Sequence, residues 1–436
     1  MNKNACVPAV RDLMAEFAGR TGLDPPLANP RRYLWTDAYA VCNYIELYHR
    51  TEEETYRDLA LRLVSQVHHT LGRHRADDRR TGWISGLSDG EGEVHPTIGG
   101  LRIGKPLPER RSGEPFDERL EWERDGQYYH YLTRWMHALN RMSRATNDPA
   151  YIRWAVELAR AAHAAFAYLP PSGGKKRMYW KMSIDLSRPL VPAMGQHDPL
   201  DGFVTYSELQ AAARPLHLDL SPEIADMAGI CRGTVQATDD PLGIGGLLFD
   251  AGRIAQSMDR SETARVDLLC SVLDAALAGL AAFARGGSLR YPVEYRLAFR
   301  ELGLAIGLTG VTGQIRDGPE IFGRGALERR AETLMGYAPL ADAIVEFWAD
   351  ERNREAGTRA GNPEINMVML ATALAPGEFL AVSLRDNHTL LCRGGEAGSW
   401  QHPDLWSIST GSRGSASSAP RTETERSMRP SSVRRR

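Results

Sequence analysis

The chain has 436 residues, 42% apolar and 25% charged, with a formal net charge of −2; this is the composition of an ordinary globular protein. No run approaches the roughly 20 consecutive apolar residues of a membrane span, and residues 1–20 hold no uninterrupted apolar stretch of the kind a secretory signal needs. Cys6, Cys42, Cys231, Cys270 and Cys392 include no CxxC pair, which excludes a zinc knuckle or a dithiol redox motif and fits reduced thiols in a cytoplasmic protein.

In chain order, the helical period dominates. A first helix is expected over 8–19, and a second over 35–49. Thr51-Glu-Glu-Glu54 reads as a capping box that opens a helix over 52–73, where Tyr56, Leu59, Leu63, Val67 and Leu71 form the apolar stripe. After a long connection, apolar residues at 128, 131, 132, 135, 136, 139 and 142 mark a helix over 125–145. Asp148-Pro149 opens the next, 149–168. Helices follow over 199–213, over 222–231 behind Ser221-Pro222, and over 243–258, 262–284, 292–308 and 325–352. Asn362-Pro363 opens the last, 363–374. Strand signals are weak and confined to the connections and to 379–391. From Gly411 the chain is rich in Ser, Pro and Arg, with seven Arg against two Glu, and is expected to be disordered. Subtracting that +5 tail leaves a body of about −7, which argues against nucleic acid as a partner.

The helices group as hairpins. First helices at 35–49, 125–145, 199–213, 243–258, 292–308 and 363–374 alternate with second helices, and the segment 8–19 closes the sixth pair. The expectation is an all-α fold, an (α/α)6 toroid, as one domain over 1–410 with a basic tail over 411–436.

The first helix of almost every pair opens on a polar and aromatic cluster. These are Trp35-Thr-Asp37-Ala-Tyr39, Arg124-Asp125-Gly-Gln-Tyr128-Tyr-His130, Gln196-His197-Asp198-Pro-Leu-Asp201, Asp239-Asp240, Tyr291-Pro-Val-Glu294-Tyr295 and Asn362-Pro-Glu364. N-capping explains one Asp or Asn per helix but not the Trp, Tyr and His beside it. With the first helices as the inner ring, these clusters converge at one mouth, where free backbone N–H groups suit hydroxyl- and carboxylate-bearing ligands. The connections 83–124 and 170–196 both precede first helices and are expected to form a rim or lid over that mouth. They carry Glu93, His95 and Trp180.

Three chemistries fit. Glycoside cleavage needs paired carboxyls; the candidates are Asp37, Glu93, Asp125, Asp198, Asp201 and Glu294, with Asp125 and Glu294 favoured, and Trp35, Tyr39, Tyr128 and Trp180 as sugar platforms. His95, His130 and His197 could instead be acid/base groups for sugar epimerisation or isomerisation. Gln196-His197-Asp198 with Glu93 and His95 could hold a metal, although no recognised spacing is present. Gly243-Ile-Gly245-Gly246 does not match a dinucleotide fingerprint, and no cofactor is expected.

In its repeated helix pairs with clusters such as Trp35-Thr-Asp37 and Arg124-Asp125-Gly, the chain resembles the six-hairpin glycosidase-like superfamily over roughly 30–375. That resemblance implies carbohydrate hydrolases, lyases and sugar 2-epimerases. The expectation is a carbohydrate-active enzyme, foremost a glycoside hydrolase, with a small saccharide as its partner and neither nucleic acid nor membrane. A sugar epimerase and a non-catalytic helical scaffold are the alternatives.

Overall fold

The computed structural model describes residues 6–258, 263–323, 325–353 and 361–382. Among these lie twelve longer helices: α1 (Val7–Thr21), α2 (Leu34–Thr51), α3 (Glu54–Leu71), α4 (Tyr129–Thr146), α5 (Ala150–Phe166), α6 (Asp198–Ala213), α7 (Ser221–Cys231), α8 (Pro241–Ser257), α9 (Thr263–Gly286), α10 (Ala298–Asp317), α11 (Glu328–Ala349) and α12 (Pro363–Leu374). Helix α2 packs on α4, α4 on α6, α6 on α8, α8 on α10, α10 on α12, and α12 returns to α2. The even-numbered helices are therefore a closed inner ring. Each carries an outer partner: α3 on α2, α5 on α4, α7 on α6, α9 on α8, α11 on α10 and α1 on α12. The fold is an all-α (α/α)6 toroid.

Burial separates the two rings. Every residue of α2 from Leu34 to Leu47 is buried, whereas its outer partner α3 buries one stripe, Leu59, Ala60, Leu63, Val64, Val67, His68 and Leu71. A helix packed all round needs little exposed polarity, and an outer helix needs one apolar face. The segment Arg265–Arg290, which includes most of α9, is long and apolar enough to cross a membrane by length and hydropathy. Here it packs in the toroid, burying Leu269, Val272, Leu273, Ala276 and Leu280.

Two boundaries differ from expectation. The helix expected over 292–308 is Ala298–Asp317. The Val293–Tyr295 segment is a single 3-10 turn, and the chain is pinned at Arg296, whose buried guanidinium grips Glu301 at 2.6 Å and lies 3.7 Å from the centre of the Phe347 ring. The capping box at Thr51–Glu54 does not form either. Thr51 ends α2, donating to Leu47 O at 2.8 Å, and Glu52 makes the turn in the left-handed region at φ 59°.

Of the glycines over 243–246, Gly245 has a packing role. A Cβ on Gly245 would stand 2.2 Å from Gly303 O, and one on Gly307 would stand 2.3 Å from Gly245 O. These positions let the backbones of α8 and α10 touch, the closest approach that two helices can make.

The C-terminal ends of the inner helices are closed by the short helix Gly377–Leu380. Glu378 N donates to Glu46 at 2.6 Å, Arg141 donates to Ala381 O, and Gln256 bonds both Leu380 O and Val382 N. Its Phe379 points up the axis, stacking on Tyr39 at 4.6 Å and Phe249 at 4.7 Å. A β-like segment was expected over 379–391; its first residues, Phe379 and Leu380, belong to this helix. Residues from 383 onward, with the basic tail, lie outside the described residues.

The two rim connections meet over the other end. A small antiparallel sheet joins Gln127–Tyr128, Lys181–Met182 and Pro189–Val191. Arg80 pairs with Asp185 at 2.7 Å, and Lys181 donates to Glu121 O at 2.7 Å and to Arg124 O at 2.8 Å.

Candidate active site

The wall of the axis is polar where a buried ring should be apolar. On α4, His130, Arg134, His137 and Arg141 repeat at i, i+4, i+7 and i+11, which puts them on one helix face. On α6, Asp198, Asp201, Thr205 and Glu208 fall at i, i+3, i+7 and i+10, likewise one face. The faces meet as a ladder. His130 Nδ1 lies 3.7 Å from Asp198 Oδ1, Arg134 Nη1 3.3 Å from Asp201 Oδ1, and His137 Nδ1 3.9 Å from Glu208 Oε2. Helix α8 adds Arg253, which donates to Glu208 at 2.7 Å, Thr205 at 3.0 Å, Asp250 at 3.1 Å and Asp201 at 3.2 Å.

The rungs differ in electrostatics. At the lower two, arginine neutralises carboxylate. Burial pushes the Asp201 carboxyl up, yet Arg134, Arg253 and the Thr133 hydroxyl outweigh it and hold the group below its ordinary value. At the top rung Asp198 has no arginine within ion-pair distance among the described residues. Burial, then the nearby Asp201 charge, push its carboxyl up to about 8. The connection before α6 causes that burial, since Gly195 sits against the carboxylate so closely that a Cβ would come within 2.2 Å. Burial also lowers His130 and His197 to about 4. At neutral pH the mouth therefore holds a protonated carboxyl beside neutral imidazoles.

Several of these groups lack a hydrogen-bond partner among the described residues: His130 Nδ1, both ring nitrogens of His197, Asp198 Oδ2 and Arg300 Nε. Buried polar atoms are normally satisfied; lower on the ladder Arg134 Nη1 and His137 Nδ1 also lack a hydrogen bond, so the unmet groups run from the mouth down the axis. Around them stand aromatic rings. Tyr128 lies 5.4 Å from His130 and 5.1 Å from Trp180, and Tyr131 lies 4.9 Å from His130. Tyr131 is hydroxyl-bonded to Tyr33 at 2.6 Å and leads to Trp35 at 6.4 Å. Arg300 pairs with Asp240, the N-cap of α8.

The chain is distantly similar to several solved structures. The cellobiose 2-epimerase of Spirochaeta thermophila DSM 6192 is 14% identical, with 86% of this chain and 98% of that one covered at a TM-score of 0.46. A D-mannose isomerase is 11% identical over 86% and 98% at 0.48, and a sugar epimerase from a ruminal bacterium is 11% identical over 85% and 99% at 0.43. No family model and no curated protein matches the sequence. The toroid stands on this chain's own helix contacts, and the site on its own side chains.

Of the residues singled out in the sequence, Tyr128, His130, Trp180 and Asp198 are brought into contact, with Asp201 one turn below. His197 is the N-cap of α6 and feels the charges of Asp240 and Asp201. Trp35 and Tyr39 lie 4.5 Å apart, and Tyr39 is sunk onto the floor at Phe379.

Five others are placed elsewhere. Asp125 is fully buried and accepts from Arg102 at 2.6 Å, Arg75 at 3.3 Å, and the backbone N–H groups of Gly104, Lys105 and Gly126, so no lone pair remains for catalysis. Glu294 is exposed on the 3-10 turn before α10 rather than at an inner-helix start. Asp37 folds back to cap α2, accepting from Tyr33 N at 2.9 Å and pairing with Arg32. Glu93 pairs with His69 of α3 at 2.8 Å, and His95 with Glu157 of α5 at 2.7 Å, both on outer helices. The set Glu93, His95, His197 and Asp198 is therefore not assembled; among the described residues no group of three or more His, Cys, Asp or Glu stands where it could hold a metal ion.

Arg134, His137, Glu208, Asp250, Arg253 and Arg300 were not anticipated. The signal for the first three was present as polar residues at helical spacing on helices expected to be inner.

Proposed function

We propose that this chain is a carbohydrate-active enzyme that moves a proton on a small saccharide, as an epimerase or isomerase does. The observation that carries the reading is the top rung: two neutral histidines with unsatisfied ring nitrogens beside a protonated carboxyl, at one aromatic-walled mouth. A neutral imidazole is a competent base, and a carboxyl held protonated at neutral pH is a competent acid.

In this scheme the sugar presents its carbonyl form. One histidine removes the proton from the carbon next to the carbonyl. The C–H electron pair becomes the C=C bond of an enediol, and the carbonyl oxygen takes a hydrogen bond or proton from Asp198. For isomerisation the first histidine, now an imidazolium, delivers the proton it took to the adjacent carbon. For epimerisation the other histidine first takes a proton from water and delivers it to the opposite face of the same carbon, while the first gives its own to water. In both cases an enediol hydroxyl returns its proton to Asp198 as the carbonyl re-forms. Nothing is oxidised or reduced overall. Arg134 and Arg300 would steady the developing oxyanion, and Tyr128, Tyr131 and Trp180 would orient the ring.

A second reading, glycoside hydrolysis, draws on the opposite shifts of Asp198 and Asp201, which resemble an acid and its partner carboxylate. It is the weaker reading, because Asp201 is committed to two arginines and Thr133. A panel of aldoses, ketoses and disaccharides incubated in D2O separates the two. Deuterium entering the carbon next to the carbonyl, and falling by about 10²–10⁴-fold in His130→Gln and His197→Gln, supports proton transfer. New reducing ends without exchange would select hydrolysis, and neither product with any sugar would remove both.

A further inference from the structure

Beside the axial mouth lies a cleft of about 720 Å³, lined where the chain enters α2, leaves α3 and follows the rim. Its lining carries five cations, Arg31, Arg32, Arg75, Arg102 and Lys105, against four acids, Asp37, Asp77, Glu123 and Glu364. The four arginines are matched. Arg31 pairs with Glu364 at 2.9 Å, Arg32 with Asp37 at 3.3 Å, Arg75 with Asp77 at 2.7 Å and Arg102 with Asp125 at 2.6 Å. Backbone carbonyls hold three of them further: Thr21 O takes Arg32, Lys105 O takes Arg75 and Thr70 O takes Arg102. They form a rigid wall whose charge is largely spoken for.

Lys105 is different. Its backbone is fixed, the N–H donating to Asp125 Oδ1 at 3.3 Å. Its ammonium makes no hydrogen bond and no ion pair with the described residues, and lies 5.6 Å from the centre of the Tyr33 ring. Glu123, exposed on the rim, and then Asp125 are the carboxylates whose charge it feels, and neither forms an ion pair with it among the described residues. A half-buried ammonium without a counter-ion is a costly arrangement that a bound anion relieves. Thr36 and Thr70 add hydroxyls to the lining, and Asn362 adds an amide at the start of α12. The first turns of α2 and α12 thus border the cavity, bringing their positive ends with them.

We propose that this cleft binds a small hydroxyl-rich molecule carrying one anionic group, a phosphate ester or a carboxylate, with Lys105 as its counter-ion. A cavity of this size holds a monosaccharide-sized ligand. The assignment does not rest on the proton-transfer reading, because its test measures binding alone.

The full chain is titrated calorimetrically with inorganic phosphate, D-glucuronate and D-glucose. Binding of phosphate or glucuronate, with glucose silent, is expected, and whichever anion binds identifies the class. Lys105→Gln should weaken that binding by at least about tenfold, and Lys105→Arg, which keeps the charge, should retain most of it. Raising the salt from roughly 50 to 200 mM should weaken it too. Without ligand, Lys105→Gln should melt at or above the wild-type midpoint, because it removes a half-buried charge that has no counter-ion, and Lys105→Arg should melt close to wild type. Binding of neither anion, or equal affinity in wild type and Lys105→Gln, would overturn the assignment.

Discussion

His130 Nδ1 lies 3.7 Å from Asp198 Oδ1, across the seam between two neighbouring inner helices. Directly below, the same two helices place arginine against aspartate and histidine against glutamate. The lower rungs are held by Arg253 and its four acceptors, and they fix the backbones that carry the top one. Among the described residues the top rung alone has no arginine within ion-pair distance of its acid, so that carboxyl stays protonated while Asp201 and Glu208 underneath are ionised against arginine.

Asp198→Asn should trade activity for stability. The Asp198 carboxyl is raised by burial from 3.8 to about 8 in the folded chain. Its favourable contribution is complete below pH 4, declines as the unfolded chain ionises and the folded chain does not, and is lost by about pH 8. The amide avoids that penalty. The variant should therefore melt higher than wild type at pH 8, by a free energy on the order of a few kcal/mol, and close to wild type near pH 4, while proton exchange into sugar is lost at every pH. Melting curves at both pH values check the first half.

Activity should describe a bell in pH. Burial holds His130 and His197 down to about 4, so both stay neutral and basic until the pH falls toward that value. On the alkaline side Asp198 loses its proton through about 8. Rates of deuterium incorporation should fall below about 4 and above about 8. A flat alkaline limb would remove Asp198 as the acid.

Asp125→Ala should act on the fold and not on the chemistry. It removes the counter-ion of Arg102, takes one of two carboxylates from Arg75, which keeps Asp77, and frees three backbone N–H groups. Removing one partner of a buried ion pair costs about 3–5 kcal/mol. Denaturant unfolding should show that loss, and whatever activity remains should keep the pH limbs of the wild type.

Phe379→Ala should open the floor. The ring stacks on Tyr39 and Phe249 and meets His137 edge-on at 5.2 Å, so its loss leaves a cavity at the base of the axis. A loss of about 3–5 kcal/mol is expected, with a smaller one for Phe379→Leu. Unfolding curves and the near-ultraviolet signal of the stacked aromatics read it directly.

Gly307→Ala should separate α8 from α10. The added methyl meets a backbone carbonyl of α8 at 2.3 Å, which no rotamer can relieve. The expected cost is about 1–3 kcal/mol or more, against well under that for Gly313→Ala on the same helix, where a Cβ meets nothing within 4 Å. Paired melting curves decide it.

Much of the architecture was legible in the sequence. The 3.6-residue period and the proline and acidic punctuation located all twelve helices, because local propensity and one-sided burial leave a repeating mark. The helix before residue 298 was misplaced because Tyr291-Pro-Val-Glu294-Tyr295 has the composition of a helix start; what delays the helix is Arg296 reaching Glu301 and Phe347, a contact partly formed across the chain. His130, His197 and Asp198 were visible as unusual residues at inner-helix starts. Asp125 had the same appearance, and nothing local distinguishes a carboxylate that two distant arginines will claim from one left alone.

The sequence by itself determined that the helices exist, that they alternate, and that polar side chains sit on faces meant for burial, since each of these follows from spacing along one chain. Only the tertiary structure decided which polar groups find partners. Glu93 and His95 are bound to outer helices, Asp125 to the rim, and Asp201 to two arginines, while Asp198 is left buried with no arginine in ion-pair distance among the described residues. Protonation depends on burial and on the charges within a few ångströms, and both are set by segments far apart in the chain.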